Sequence, residues 1–131
     1  MALMNEAELR KIIVDGENEL LVAHAERIGT ELARSLTSSQ IRGIFGSVRR
    51  IELDWQEQAN GDRLKRAQRE FALLQPRLAY QARRERGRGV EELKNVLTPA
   101  MRMVEKDLGR FRNFVDFFEA ILAYHKANGG Q

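Results

Sequence analysis

Residues 37–57 read TSSQIRGIFGSVRRIELDWQE, and their spacing decides the fold class. Thr37 followed by Gln40 has the form of a capping box, in which hydroxyl and amide side chains satisfy the free backbone donors of a helix start. Ile41, Ile44, Phe45, Val48, Ile51 and Trp55 then recur every three or four positions, which places them on the buried side of a helix reaching about Glu57. Asn60 and Gly61 signal its end. Upstream, Asn5 and Glu8 form another capping box and Gly16 a stop, so residues 6–15 are a first helix. Leu21, Ala25, Ile28 and Leu32 mark a second helix of about 17–35.

Downstream the same period continues. Asp62 is placed to cap a fourth helix with a seam of Leu64, Ala67, Phe71, Leu74 and Leu78. Pro76 falls inside that seam, where it removes a backbone donor and disfavours helical geometry at Gln75, so a kink or break is expected. Gly87 and Gly89 end the unit. A fifth segment runs from about Val90 to Leu97, and Thr98-Pro99 has the form of an N-cap and first position of another helix. Phe111, Phe114, Phe118, Ile121, Leu122 and His125 carry the last helix to about Asn128, with Gly109 leaving open whether it is one piece or two. No segment alternates with the period of a strand. The expectation is an all-α chain, residues 1–131 as one domain, a compact bundle of five to seven helices. Most aromatics lie after residue 110, which makes the last helix the expected core element and a candidate partner surface.

Composition narrows the function classes. The chain of 131 residues has no cysteine, which removes disulfides, thiolate metal sites and cysteine nucleophiles together. No apolar run has the length of a signal peptide or a membrane span, so a soluble, cytoplasmic protein without membrane contact is expected. Only His24 and His125 are available for general acid–base work, and neither has a partner at useful spacing. His24 reads as a solvated surface residue and His125 as a packed or capping group in the last turn. Asp107 and Asp116 lack histidine at metal-ligand spacing. No catalytic residue, metal or cofactor is expected. Gly43 and Gly46 spell GIFG, a formal GXXG, but they lie in a helical pattern foreign to KH domains. Each costs a helix roughly 1 kcal/mol relative to alanine, which a close helix–helix contact or an approaching backbone would explain.

Charge is the strongest positive feature. Between Asp62 and Arg88 nine basic residues face three acids, whereas residues 1–34 carry four bases and seven acids. Such polarisation is expected when one face meets a polyanion. Seventeen of the 22 basic residues are arginine, whose planar donors match phosphate oxygens. Arg42 and Arg49 are seven apart on one helix face and Arg50 extends that edge, while Arg83, Arg84, Arg86 and Arg88 follow Tyr80.

Three blocks, LTSSQIRGIFGSVRRI at 36–51, LLQPRLAYQARR at 73–84 and FFEAILAYHK at 117–126, resemble the small subunit of the type III-A CRISPR–Cas effector, the Csm complex. The resemblance covers about residues 20–127. It departs at Gly43, where a basic residue is expected after SQIR, so no RNA contact is assigned to that position. The resemblance implies a non-catalytic RNA-binding subunit of an antiviral ribonucleoprotein, present in more than one copy beside the crRNA–target RNA duplex. Its contacts are mainly with the target strand and independent of sequence; its partners are the other Csm subunits and copies of itself. Base pairing reads the sequence, and the protein holds phosphates and sugars, as in other RNA-guided effectors. Carried over by block, the implied RNA-binding residues are Arg42, Arg49, Arg50, Arg77, Arg83 and Arg84, with Arg86 just beyond the second block and Lys126 ending the third. Tyr80 is expected to be packed. The alternative is a helical interaction or oligomerisation module without direct RNA contact, its arginines meeting acidic partner proteins and its C-terminal aromatics forming an oligomer interface. A helix-turn-helix DNA binder is disfavoured because Ser35–Gln40 lacks the short glycine-containing turn.

Overall fold

The computed structural model describes residues 4–131, which form six helices: α1 (Glu6–Ile13), α2 (Asn18–Leu32), α3 (Ser38–Asp54), α4 (Gly61–Arg84), α5 (Gly89–Val104) and α6 (Leu108–Ala127). Among the described residues there is no strand, so the all-α expectation holds. Both helices begin where the anticipated capping boxes place them, but only the one at Thr37 closes as a box. The Asn5 side chain accepts from the Ala7 and Glu8 amides. Thr37 and Gln40 satisfy each other's backbone donors at the start of α3.

The bundle is built around α6. This helix packs against α1, α2, α3 and α5, and its Phe111, Phe114, Phe117, Phe118 and Ile121 are all fully buried. Burying each such side chain stabilises the fold by about 1.5–3 kcal/mol. The rings also interlock with neighbouring elements. Trp55, just past α3, stacks on Phe111 with centroids 4.3 Å apart and planes 12° from parallel. Phe71 of α4 meets Trp55, Phe111 and Phe114 edge to face at 5.6, 5.2 and 5.4 Å, the geometry ring quadrupoles favour. The C-terminal phenylalanines therefore serve as core and leave none over for a partner surface.

Two close approaches lock α6 in place. A methyl group on Gly29 of α2 would stand 2.7 Å from the Ile121 carbonyl oxygen and 2.9 Å from the His125 nitrogen, so only glycine lets α2 lie this near α6. At the end of α6 the chain folds back over His125, which is fully buried. Its Nε2 donates to the Leu36 carbonyl at 2.5 Å, and its Nδ1 has no hydrogen-bond partner among the described residues. Gly130 covers the ring where a Cβ would overlap it. Ser38 Oγ donates to the Gly130 carbonyl at 2.8 Å, and the Ser38 amide to that of Gln131 at 2.6 Å. His125 thus packs as expected and ties α6 to the α2–α3 corner. His24 is less free than a solvated surface residue. Its Nδ1 accepts from Arg27 at 2.9 Å and its Nε2 lies 3.3 Å from the Glu8 carboxylate, joining α2 to α1.

The structure corrects several boundaries. The cap of α4 is Asn60, whose side chain accepts from the Arg63 amide; Asp62 lies inside the first turn. Neither proline breaks its helix, since α4 runs through Pro76 and α5 runs through Pro99. Both prolines line one surface recess between α4 and α5, where water can reach the carbonyls their missing N–H groups leave free. The division expected at Thr98 falls instead at Glu105 and Lys106, two consecutive left-handed residues with φ of 51° and 65°. Asp107 then caps α6 by accepting from the Arg110 amide, and Arg110 Nη1 reaches back to the Met103 carbonyl and the Glu105 carboxylate, each at 3.2 Å. Gly109 interrupts nothing, and α6 is one piece.

Gly43 and Gly46 are not at a helix–helix contact. Among the described residues nothing beyond the local helix backbone lies within 4 Å of a Cβ built at Gly43, and only the Arg50 guanidinium, at 3.7 Å, approaches one at Gly46. The two kinds of helical glycine should respond oppositely to alanine. Gly29→Ala is expected to cost about 1–3 kcal/mol through overpacking. Gly43→Ala should stabilise by about 0.5–1 kcal/mol because it removes backbone freedom from the unfolded chain without a clash. Urea denaturation of both variants beside wild type checks the pair.

Candidate nucleic-acid interface

Helix α4 spans about 36 Å at 1.5 Å per residue, yet only Ala67, Phe71, Leu74 and Leu78 of its 24 residues are buried. These four recur three or four apart and form a single stripe against the bundle. The rest of the surface is free for charge, and α4 carries seven basic residues against Asp62 and Glu70. It packs on α3 and α5. Contacts at both ends show that α3 and α4 run antiparallel. Arg63 Nη2 donates to Asp54 at 2.9 Å, and Gln40 Nε2 donates to Glu85 at 2.9 Å.

A groove of about 310 Å³ lies between the two helices. One wall is Gly43, Ser47, Arg50 and Asp54 of α3; the other includes Arg66, Glu70, Arg77 and Gln81 of α4. The bare Gly43 widens the groove mouth. Arg50 donates to Ser47 Oγ at 3.1 Å and has no carboxylate within 4.0 Å among the described residues. Arg77 is 2.9 Å from Glu70. Arg66 is the member that sequence reasoning passed over; its signal was the seam itself, because 66, 70, 73, 77, 80 and 84 share one face by their spacing.

All eight sequence-derived residues are exposed: Arg42, Arg49, Arg50, Arg77, Arg83, Arg84, Arg86 and Lys126. The structure brings only Arg50 and Arg77 into the groove. Arg42 and Arg49 share an outer face of α3 with Gly46 and Leu53, and Arg49 is engaged by Glu52 at 2.8 Å and by the Phe45 ring at 5.9 Å. Arg83 and Arg84 are consecutive, hence about 100° apart around the helix. Arg84 continues the groove-side stripe, whereas Arg83 falls with Arg69 and Pro76. Arg86 lies in the connection to α5, and Lys126 in the last turn of α6. Tyr80, expected to be packed, is 66% exposed.

The acid at the centre of the cluster faces inward. Glu85 takes hydrogen bonds from Gln40 at 2.9 Å and Gln81 at 3.0 Å, and the Arg84 guanidinium is 4.0 Å away. The Gln40 amide, then that of Gln81, and last the Arg84 charge hold its carboxyl below the ordinary range against the opposing effect of burial. Arg83 and Arg86 consequently keep no carboxylate partner among the described residues. A depressed carboxyl contributes stability that is complete above its unfolded value, about 4.3, and is lost as pH falls through the folded value. Glu85→Ala should therefore lower stability by about 0.5–1.5 kcal/mol at pH 7, the worth of an ordinary hydrogen bond. The gap from wild type should close towards pH 3. Urea midpoints of the two proteins across that range provide the measurement.

No helix among the described residues is long and apolar enough to cross a membrane. In comparisons with known proteins, the profile of the Csm2 Type III-A family matches residues 15–131. No curated protein and no solved structure matches the chain significantly.

Proposed function

The chain belongs to the Csm2 Type III-A family, the small subunit of the type III-A Csm effector complex, and from that premise we propose that it is a non-catalytic RNA-binding subunit. Its basic α3–α4 surface holds the phosphates of the guide–target duplex, mainly on the target strand. The observation that carries this reading is the pairing of α4's single buried stripe with an arginine-rich outer face. Arg50, Arg66 and Arg77 line one groove, and Arg84 extends it along the same side of α4. Arginines on rigid helices present phosphate donors without committing to a base, which suits a protein whose target is chosen by base pairing. Several copies along one strand, together with the other subunits, would turn modest individual sites into firm attachment. A cytoplasmic location accords with such a role.

The interaction-module alternative relied on C-terminal aromatics as an interface. The phenylalanines among them are buried, which leaves that reading chiefly the arginines.

With about five phosphate contacts, affinity of the full chain for a single-stranded RNA should fall roughly a hundredfold between 50 and 200 mM salt, following a slope of about −0.7 per contact. Arg50→Glu with Arg77→Glu should weaken binding at both salts and flatten the slope. Fluorescence anisotropy with a labelled 40-nucleotide RNA reads both effects. An affinity that does not change with salt would count against the proposal. Loss of complex assembly with unchanged RNA binding would transfer the arginines to protein partners.

A further inference from the structure

Tyr80 stands out among the aromatic side chains. The phenylalanines of α4 and α6 are buried in the core, whereas Tyr80 is 66% exposed near the C-terminal end of a basic helix. Its ring contributes nothing to the buried stripe of α4, and among the described residues no hydrogen bond to its hydroxyl explains its place. The Arg84 guanidinium lies over the ring at 5.8 Å from the centroid. Arg77, three residues earlier on the same face, projects towards Glu70 at 2.9 Å. One strip of α4 thus presents arginine, tyrosine and arginine in order. The two guanidinium groups start from positions about 10.5 Å apart along the helix axis, with an aromatic plane between them.

We infer that Tyr80 is a stacking platform for one unpaired base of a bound RNA strand, with Arg77 and Arg84 holding the phosphates on either side. This rests on the RNA-facing reading of α4 and adds to it a contact with a base face. Aromatic rings and bases stack whatever the base, so the contact leaves sequence choice to the guide. Arg84 covers one face of the ring, and the opposite face is left for the base; the resulting sandwich gains from cation–π attraction. The charge of the strip selects the occupant. An apolar peptide would be repelled by arginines it cannot pair, while a polyanion with planar groups satisfies both kinds of side chain. A fully paired duplex keeps its bases stacked inside, so the platform requires a single-stranded or extruded nucleotide.

The test compares full-length wild type, Tyr80→Phe and Tyr80→Ala by anisotropy at 50 mM and 200 mM salt. The two probes are a labelled 40-nucleotide single-stranded RNA and the same RNA with abasic residues at every other position. Helical circular dichroism accompanies each variant, and the exposed position of Tyr80 should leave the fold of both unchanged. Tyr80→Ala should bind the intact RNA roughly 5- to 150-fold more weakly, the worth of a stacked base. Its salt slope should be unaltered because no charge is removed, and Tyr80→Phe should bind as wild type. The abasic strand should bind more weakly to wild type and narrow the gap to Tyr80→Ala. If Tyr80→Ala matches wild type on both strands with the salt slope intact, the platform is overturned and the phosphate-binding surface stands. If wild type shows no salt-dependent binding to either strand, both readings fall together. If Tyr80→Phe is as weak as Tyr80→Ala, the hydroxyl and not the ring face makes the contact, and stacking is overturned.

Discussion

The arrangement of this molecule depends on how closely α2 can lie against α6. Gly29 allows the two backbones to meet where any side chain would collide with the Ile121 carbonyl, and that contact fixes α6 as the member around which the other helices gather. Dispersion and apolar burial then act over short distances among well-placed rings, which is why the phenylalanines of α6 can be fully enclosed in a chain of 131 residues. A small domain buries a modest fraction of its surface. Concentrating its aromatics on one central helix is an efficient use of that fraction.

The basic surface is the complement of this core. Phe71 binds α4 to the aromatic cluster through Trp55, Phe111 and Phe114, and one narrow apolar stripe suffices to hold a helix of 24 residues. A helix held by so few positions has most of its circumference available for arginine. The same economy sets the spatial relation between groove and core. Leu74 and Leu78 face in, while Arg77 and Gln81 border the groove beside α3. Glu85 contributes by turning its charge towards Gln40 instead of towards the arginines around it.

Much of the fold is legible in the sequence because its signals are local. The Asn5 cap and the Thr37 capping box require only a few consecutive residues, and the buried positions of α3 and α4 repeat at helical spacing. The boundary between α5 and α6 escapes a sequence reading because its cause is tertiary and side-chain-specific. Pro99 has the local form of a helix start, yet its place at an open recess lets the helix pass through it. The actual reversal occurs at Glu105 and Lys106, residues with no special tolerance for left-handed geometry, and Arg110 holds it by bonding back across the turn. The candidate interface is legible as charge but not as geometry. Arg83 and Arg84 are one unit in the sequence and lie on different sides of the helix, while Arg50 and Arg77 are distant in sequence and share a groove. Tyr80 defeats a sequence reading because a tyrosine among leucines and arginines has no mark that separates the packed case from the exposed one. Gly43 and Gly46 remain without an internal reason in the fold.

The tie between His125 and Leu36 has a temporal side. The groups that close the bundle are separated by most of the chain, so the α2–α3 corner has no partner until α6 has been made and has folded back upon it. Until then the α4 segment, with all its arginines, lacks the α6 phenylalanines that cover Phe71 of its apolar stripe. Such long-range closure delays the cooperative collapse of a chain. During synthesis the helix best equipped to attract polyanions therefore precedes the helix that completes its support, and a nascent molecule of this kind is more exposed to premature association than its small size would suggest.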